Sequence, residues 1–236
     1  NWFEKFKSSY VDIFTVETKS YYEELKKTSV FKNRIEYLPN GVSLLDIDLT
    51  ELDILPKENI VVTVGRLGTY EKNNSLLLNA IKNLPIELVK NWEFLLIGPS
   101  TQEFSKEVAL FKEKNPAIAN CINMTGEINN RNTLYSYLRR AKIICMTSLS
   151  ESTCISTLEG MYFGTYPVIT NYSDFTLDTS NNNKVGCIVE NKNINALVSS
   201  LKYIMSDDNL YCKGLESQFY VRSVFDYGVL TKSLDS

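Results

Sequence analysis

The chain has 236 residues, of which 44% are hydrophobic and 22% are charged, and its formal net charge is −3. The length suits one large domain, or one domain with part of a second, and the apolar content is too high for a disordered chain. The acidic balance argues against a nucleic-acid-binding surface, which needs a concentrated basic face, and the absence of histidine excludes catalysis by Ser-His-Asp or Cys-His sets and most zinc sites.

In chain order, short apolar runs rich in β-branched residues are predicted as strands. The first two, 11–16 and 35–38, flank a charged helix at 19–27. Later strands alternate with amphipathic helical patterns, which predicts a parallel sheet with right-handed crossovers. These later strands are 60–64, 92–97, 121–125, 142–147, 166–170 and 185–189. The clearest helical patterns between and after them cover 76–84, 134–141, 153–163 and 194–204.

The predicted fold is therefore α/β, a Rossmann-like parallel sheet with helices on both faces. Residues 1–41 are interpreted as a remnant of a preceding domain, and the irregular, acidic stretch 42–58 as a linker. Residues 59–215 form the predicted Rossmann-like domain, and 216–236 a C-terminal helix. Because the chain begins with Asn1 and not with Met, we interpret it as a fragment.

Cysteine and apolar patterns bear on the location of the protein. The five cysteines are scattered and form no CxxC pair, which is typical of a reduced, cytoplasmic protein without a metal site. No apolar run approaches the ~18 residues that a helix needs to span a bilayer, and no secretory signal precedes the first predicted strand. We therefore expect a cytoplasmic protein.

Ligands of open α/β sheets bind beyond the carboxyl ends of the strands, so the residues directly after the predicted strands are the candidates. The first such loop is Gly65-Arg66-Leu67-Gly68, with Lys72 before the next helix. An Arg and a Lys beside a helix N-terminus suit an anion such as phosphate. Taken alone, the simpler interpretation is an exposed Arg and Lys at a helix start, since the dinucleotide and P-loop glycine patterns are absent.

A second loop carries two glutamates. Glu151 follows the strand 142–147, and Glu159 lies two turns into the next predicted helix, on a face that can look toward the same crevice. Carboxylates accept hydrogen bonds from vicinal diols, so two of them can hold two sugars. The backbone N–H groups of Cys154 and Ile155 can face a phosphate. On spacing alone, a capping Glu and a surface Glu explain the pattern more simply.

Two further turns complete the set of candidates. Thr125-Gly126-Glu127-Ile128 follows a strand, where a glycine lets the backbone approach a flat ring, although a plain turn explains it equally well. Gly164 is predicted to end a helix and Pro167 to begin a strand, and both residue types are common at such positions for structural reasons alone.

Taken in order, these residues resemble the C-terminal domain of the retaining glycosyltransferases of the GT-B fold, the family 4 (group 1) type. The hallmark of that family is a Glu, seven residues and a second Glu, followed by a helix end with Gly before Pro-Val. Here it stands as Glu151 and Glu159, then Gly164 and Pro167. Residues 35–42 resemble the interdomain segment of the family, and the resemblance runs from about residue 10 to the end.

The resemblance implies that Glu151 is the catalytic residue, at the transferred sugar. It implies that Arg66 and Lys72 bind the donor diphosphate, that Glu159 binds the ribose hydroxyls, and that the nucleobase lies near Glu127. The full set of implied donor-binding positions is Gly65, Arg66, Lys72, Glu127, Ile128, Thr153, Cys154, Ile155 and Glu159.

The implied activity is transfer of a sugar from a UDP- or GDP-linked donor to a glycan, lipid or other acceptor, as in polysaccharide biosynthesis, without a cofactor or a metal. The acceptor site would come from the N-terminal half, which is mostly missing, so we expect nucleotide binding but little transfer by this chain alone. The resemblance also allows contact with the inner face of the membrane through that half. Ser152 stands where the family usually has Gly after the first Glu, so the resemblance does not identify the transferred sugar. A GT-B-fold sugar-nucleotide epimerase and a non-catalytic nucleotide-sugar-binding module remain as alternatives.

Overall fold

Two parallel sheets organise the part of the chain that the structure describes, residues 11–28, 34–43 and 56–232 of a computed structural model. The small sheet pairs β1 (Phe14–Val16) with β2 (Ile35–Tyr37). Helix α1 (Lys19–Lys26) lies between these strands in the sequence. Its N-terminus is capped by Thr18, whose side chain accepts a hydrogen bond from the backbone N–H of Tyr21.

The large sheet has six parallel strands in the spatial order β5-β4-β3-β6-β7-β8. The strand order reverses between β3 and β6, and ligands of doubly wound sheets bind in the crevice at that point, outside the carboxyl ends of the strands. The strands are β3 (Glu58–Val64), β4 (Glu93–Ile97), β5 (Ile122–Gly126), β6 (Ala141–Met146), β7 (Tyr166–Thr170) and β8 (Cys187–Val189).

Helices pack on both faces of this sheet. Alternate residues of β3 face opposite sides, so Val61 lies in one apolar cluster and Ile60 and Val62 lie in another. This double burial explains the continuous apolar run of the strand. After α1 the helices are α2 (Asn74–Asn83), α3 (Ile86–Val89), α4 (Gln102–Lys114), α5 (Arg131–Arg140), α6 (Ile155–Tyr162), α7 (Phe175–Thr179), α8 (Ile194–Met205), α9 (Leu210–Val224) and α10 (Tyr227–Lys232).

The structure confirms the predicted parallel α/β fold. The strand 166–170 has the predicted bounds, and the other strands of the large sheet begin and end within two residues of their predicted ends. The prediction of the first strand, 11–16, is wrong at its start, because Val11 and Ile13 are exposed and the strand begins at Phe14. The sequence patterns did not indicate α4.

Parts of three predicted segments lie outside the described residues. These parts are 1–10 and 29–33 of the predicted remnant, 44–55 of the predicted linker and 233–236 of the predicted C-terminal helix. A single helix, α9, runs across the boundary predicted between residues 215 and 216.

The C-terminal end of the described chain meets the segment that follows β2. The backbone N–H of Val42 donates to the carbonyl oxygen of Phe225 at 2.7 Å, and the N–H of Tyr227 donates to the carbonyl oxygen of Val42 at 3.0 Å. Val42 and Phe225 are both buried, in one apolar cluster with α6 residues such as Leu158. Across the described ranges, every helix is too short or too polar to span a membrane.

Candidate functional site

The crevice at the carboxyl ends of β3 and β6 brings two of the predicted site residues into contact. Lys72, in the loop before α2, hydrogen-bonds through its ammonium group to the carboxylate of Glu151, in the loop after β6. Ser148 donates a hydrogen bond of 2.7 Å to the same carboxylate oxygen. The side chains of Lys72 and Glu151 are each only 15% exposed. Solvent therefore screens this ion pair less than a pair on the open surface.

The two loops are also joined through their backbones. Thr147 donates from its hydroxyl to the carbonyl oxygens of Lys72 at 3.2 Å and Asn73 at 3.0 Å. The backbone N–H of Leu149 donates to the carbonyl oxygen of Glu71 at 2.7 Å. These bonds fix the loop after β3 against the loop after β6, so the Lys72–Glu151 contact is one of several contacts between the two loops.

Two glycines shape the floor of the crevice. Gly65 has a φ of +153°, and a Cβ at this position would lie 3.2 Å from Cε of Lys72. Gly98, at the end of β4, has a φ of +132°, and its Cβ would lie 2.0 Å from the carbonyl oxygen of Gly65. The absence of side chains at both positions allows the lysine to lie across the end of β3 and the two backbones to approach each other.

A cavity of about 250 Å³ lies beside this floor. It brings Gly65 and Arg66 together with Glu127 and Ile128, which follow β5. Lys72, Glu151 and Glu159 do not line this cavity. The rest of the lining is Val64, Ile97, Gly98, Pro99 and Leu134.

The Arg66 side chain is less fixed than that of Lys72. It is 69% exposed, and its Nη2 atom lies 3.4 Å from Oε1 of Glu71. An exposed pair of this kind contributes little free energy, so the guanidinium can leave Glu71 for a stronger anion. The structure thus brings Arg66 to the cavity and Lys72 to Glu151.

Glu159 makes its polar contacts with α5. Its Oε1 atom accepts a hydrogen bond of 2.9 Å from the Tyr135 hydroxyl, and Nη1 of Arg131 lies 3.8 Å from the same oxygen. Burial raises the pKa of Glu159, while the Tyr135 hydrogen bond and the Arg131 charge act in the opposite direction. The sequence patterns did not indicate either partner, because both lie on another helix and Tyr135 is 24 positions away.

The residues between the two glutamates lead into α6, which begins at Ile155 and not at the predicted residue 153. Cys154 is buried, and burial, with the nearby negative charge of Glu151, raises the pKa of its thiol. A thiol in this state is a poor nucleophile. The backbone N–H of Ile155 already donates to the carbonyl oxygen of Thr153 at 3.0 Å, so a phosphate would have to replace that bond.

Thr153 also contacts the segment around the small sheet. Its hydroxyl donates to Oε2 of Glu17 at 3.2 Å and accepts from Nδ2 of Asn40 at 3.1 Å. Asn40 donates as well to Oε1 of Glu17 at 3.0 Å. The segment before the predicted linker therefore touches the loop that follows Glu151, a contact that the sequence did not indicate.

Acidic and sulfur side chains do not gather into a metal site in the ranges that the structure describes: no three Cys, Asp or Glu residues there are placed to hold an ion together. The expected metal independence stays a prediction.

Comparison with known sequences connects this geometry to a family. The sequence profile described as "Glycosyl transferases group 1" matches residues 47–216. A curated protein of Campylobacter jejuni, described as "GalNAc-alpha-(1->4)-GalNAc-alpha-(1->3)-diNAcBac-PP-undecaprenol alpha-1,4-N-acetyl-D-galactosaminyltransferase", is 27% identical over 191 residues. The match covers 81% of this chain and 49% of that protein, so the chain spans about half the length of its relative.

Solved structures share the fold at low identity. A glycosyltransferase from Rickettsia africae superposes with a TM-score of 0.70 at 20% identity, over 100% of this chain and 66% of its own. HepE of Anabaena, in complex with UDP, superposes with a TM-score of 0.74 at 13% identity, over 97% of this chain and 64% of its own. The described sheet and helices therefore have the fold of the C-terminal half of a GT-B glycosyltransferase. Since the family profile also covers most of its length, the chain belongs to the group 1 family of glycosyl transferases.

Proposed function

We propose that this chain is the donor-binding half of a retaining glycosyltransferase of the family 4 type, which transfers a sugar from a nucleotide-diphosphate sugar to a glycan, lipid or other acceptor. The contact between Lys72 and Glu151 at the carboxyl ends of β3 and β6 carries this proposal. A cation and a carboxylate side by side, where the strand order reverses, suit a ligand that presents a diphosphate and sugar hydroxyls together.

In this proposal Lys72 and Arg66 bind the diphosphate. The leaving nucleoside diphosphate gains negative charge as the glycosidic bond breaks, and preorganised cations favour the state in which that charge has developed. At an effective dielectric constant near 20, a cation ~4 Å from a unit charge supplies about 4 kcal/mol of raw attraction. Lys72 is held in the crevice, whereas Arg66 would have to move from Glu71 onto the ligand.

Glu151 would act on the transferred sugar. Its carboxylate forms an ion pair with Lys72 in this structure, and a bound diphosphate would compete for the same ammonium group. Donor binding would then free the acceptor position that Lys72 occupies on Oε1 for a hydrogen bond from a sugar hydroxyl, while the bond from Ser148 to the same oxygen keeps Glu151 in its loop. The binding of the diphosphate and of the sugar are thereby coupled through one ion pair.

The nucleoside would occupy the cavity that Gly65 and Arg66 line. The cavity beside Glu127 and Ile128 offers a place for the base, and Glu159 offers a carboxylate to the ribose. HepE is described in complex with UDP, and the Campylobacter relative is described as an N-acetylgalactosaminyltransferase. These descriptions support UDP and UDP-N-acetylgalactosamine as the first probes, with GDP as the alternative nucleotide.

Transfer itself would need the other half of the molecule. The relative is about twice as long as the matched region, which covers 49% of it, and the acceptor site would lie in the part that this chain lacks. We therefore expect donor binding without a metal and little or no sugar transfer. The cysteines are free thiols, which supports the proposed cytoplasmic location, with contact to the inner membrane surface left to the other half.

Calorimetric titration with UDP, GDP, ADP and their sugars at low salt tests the proposal. We expect one base to be preferred and the matching nucleotide sugar to bind more tightly than the free diphosphate. Absence of heat with every ligand would overturn the proposal and favour a scaffold module that keeps the fold without binding a nucleotide. Conversion of a nucleotide sugar into its epimer during the same incubation would favour the epimerase alternative.

A further inference from the structure

A hydroxyl group from α5 is fixed against one oxygen of Glu159. Tyr135 is fully buried, and its ring packs on Phe163 with 4.9 Å between the ring centroids. Its hydroxyl oxygen lies 2.9 Å from Oε1 of Glu159. Since the ring is enclosed by the core, the hydroxyl cannot swing away from the carboxylate, and the carboxylate has a rigid partner.

Arg131 decides the direction of that hydrogen bond. Its Nη1 atom lies 3.1 Å from the Tyr135 hydroxyl oxygen and 3.8 Å from Oε1 of Glu159. A guanidinium only donates hydrogen bonds, so the hydroxyl must accept from Arg131. The single proton of the hydroxyl is then available for Glu159. The three side chains form an ordered series in which Arg131 donates to Tyr135 and Tyr135 donates to Glu159.

This series opposes the effect of burial on Glu159. Burial favours the protonated acid and raises its pKa, and the groups that act against it are Tyr135 and Arg131 on α5. A carboxylate accepts hydrogen bonds with both oxygens, whereas the protonated acid gives up part of that capacity. Recognition of a diol by hydroxyl donation therefore needs Glu159 in the ionised form.

We propose that Tyr135, supported by Arg131, is a positioning residue for ribose recognition: it holds Oε1 of Glu159 by a hydrogen bond and so presents Oε2 to the ribose hydroxyls. This inference rests on the proposed function, because it takes Glu159 as the group that binds the ribose. It adds a specific requirement, that the hydroxyl of Tyr135 and not its ring controls the preference for ribose.

Substitution Tyr135→Phe tests this requirement, since it keeps the ring and removes only the hydroxyl. Tyr137→Phe is the matched control, because it removes a hydroxyl from the same helix without a bond to Glu159. Affinities for UDP and 2′-deoxy-UDP, and for GDP and 2′-deoxy-GDP, are measured by calorimetry. We expect Tyr135→Phe to reduce the preference for the ribonucleotide roughly five- to tenfold, within the range of one ordinary hydrogen bond because the effect on the ribose is indirect, and Tyr137→Phe to leave it unchanged.

Glu159→Gln separates the failure of this inference from the failure of the proposed function. If Glu159→Gln loses the ribose preference and Tyr135→Phe keeps it, the positioning role is wrong and the role of Glu159 stands. If Glu159→Gln keeps the preference, Glu159 does not bind the ribose, and both the inference and that part of the proposed function are wrong.

A measurement on the free protein tests the same contact without a nucleotide. The side-chain carboxyl signal of Glu159, identified by its loss in Glu159→Gln, is followed by ¹³C NMR as the pH is changed. Loss of a donor to the ionised form raises a carboxyl pKa, and we expect the pKa of Glu159 to be higher in Tyr135→Phe than in the wild type. An unchanged pKa in a variant that unfolds at the wild-type temperature would contradict the inference.

Discussion

The ammonium group of Lys72 hydrogen-bonds the carboxylate of Glu151, 79 positions later in the chain, across the point where the strand order of the large sheet reverses. The topology produces this contact. β3 and β6 are neighbours in the sheet although β4 and β5 intervene in the sequence, so the loops after β3 and β6 meet at one edge. The charges that the two loops carry then decide which ligand the edge can hold.

Lys72→Ala is expected to weaken the binding of UDP by roughly 1.5–3 kcal/mol, the scale of a charge-assisted hydrogen bond. The loss should disappear for uridine, which has no phosphate. Lys82→Ala, which removes an exposed lysine from the last turn of α2, is the matched control and should bind like the wild type. Calorimetry measures all three proteins. Equal affinities of Lys72→Ala and Lys82→Ala for UDP would show that Lys72 does not bind the diphosphate.

Chelation is expected to leave nucleotide affinity unaltered. The proposed diphosphate ligands are cationic side chains, and attraction to Lys72 and Arg66 needs no bridging ion. The affinity for UDP is measured before and after treatment with EDTA, and again after addition of Mg²⁺ or Mn²⁺. A tenfold loss on chelation that the added ion restores would contradict metal-independent binding.

Lys57 predicts how stability depends on pH. Its Nζ atom donates to the carbonyl oxygens of Ala141 and Phe163, both at 2.7 Å. Burial, and then the charge of Arg139, lowers the pKa of Lys57 to about 6, from 10.5 for an ordinary lysine. Between these values the unfolded chain binds more protons than the folded chain, so the free energy of unfolding rises with pH.

Lys57→Met should remove this contribution, which is at most about 1.4 kcal/mol per pH unit. It should also lower stability by about 1–3 kcal/mol for each carbonyl that loses its donor. Urea unfolding at intervals from pH 6.5 to 9 measures both effects, with Lys82→Met as the control on an exposed lysine. Parallel pH profiles of the wild type and Lys57→Met would show that Lys57 titrates like an ordinary lysine.

Gly98→Ala is expected to disturb the floor of the crevice. The new Cβ would lie 2.0 Å from the carbonyl oxygen of Gly65, so one of the two backbones must move. Gly126→Ala is the matched control, because Gly126 also has a positive φ, +74°, but its Cβ would meet no atom within 4 Å. We expect Gly126→Ala to cost about 1 kcal/mol of stability from backbone strain alone, and Gly98→Ala to cost more, as measured by urea unfolding. Similar losses in the two variants would contradict the proposed close approach.

Local patterns were sufficient to predict the large sheet. The strands buried on both faces are continuous apolar runs, and Gly164 correctly indicated the end of α6. Gly214 shows that a glycine alone does not mark the end of a helix. It lies inside α9, where a Cβ would lie 2.4 Å from the carbonyl oxygen of Gly164, so the close packing of the helix requires glycine there. Glycine indicates a helix end only when no neighbouring chain requires one.

The site shows the same division between local and long-range signals. The rule that ligands bind at strand ends made Lys72 and Glu151 candidates, and the resemblance to a family gave them their proposed roles. The partners of Glu159 were not predictable, because nothing in the sequence distinguishes Tyr135 from a tyrosine that is buried only for packing. Contacts of this kind depend on how two helices pack, which no spacing within either helix records.

The most direct test of the central claim, that the Lys72–Glu151 contact marks the donor site, compares how much the sugar adds to binding. The affinities for UDP and UDP-N-acetylgalactosamine, or for GDP and its sugars if guanosine is preferred, are measured in the wild type and in Glu151→Gln. We predict that the wild type binds the nucleotide sugar more tightly than the diphosphate. Glu151→Gln should lose at least about 1 kcal/mol of that difference in binding free energy. Its affinity for the free diphosphate should stay the same or rise, because Lys72 loses its competing anion. An equal difference in the two proteins would contradict the account.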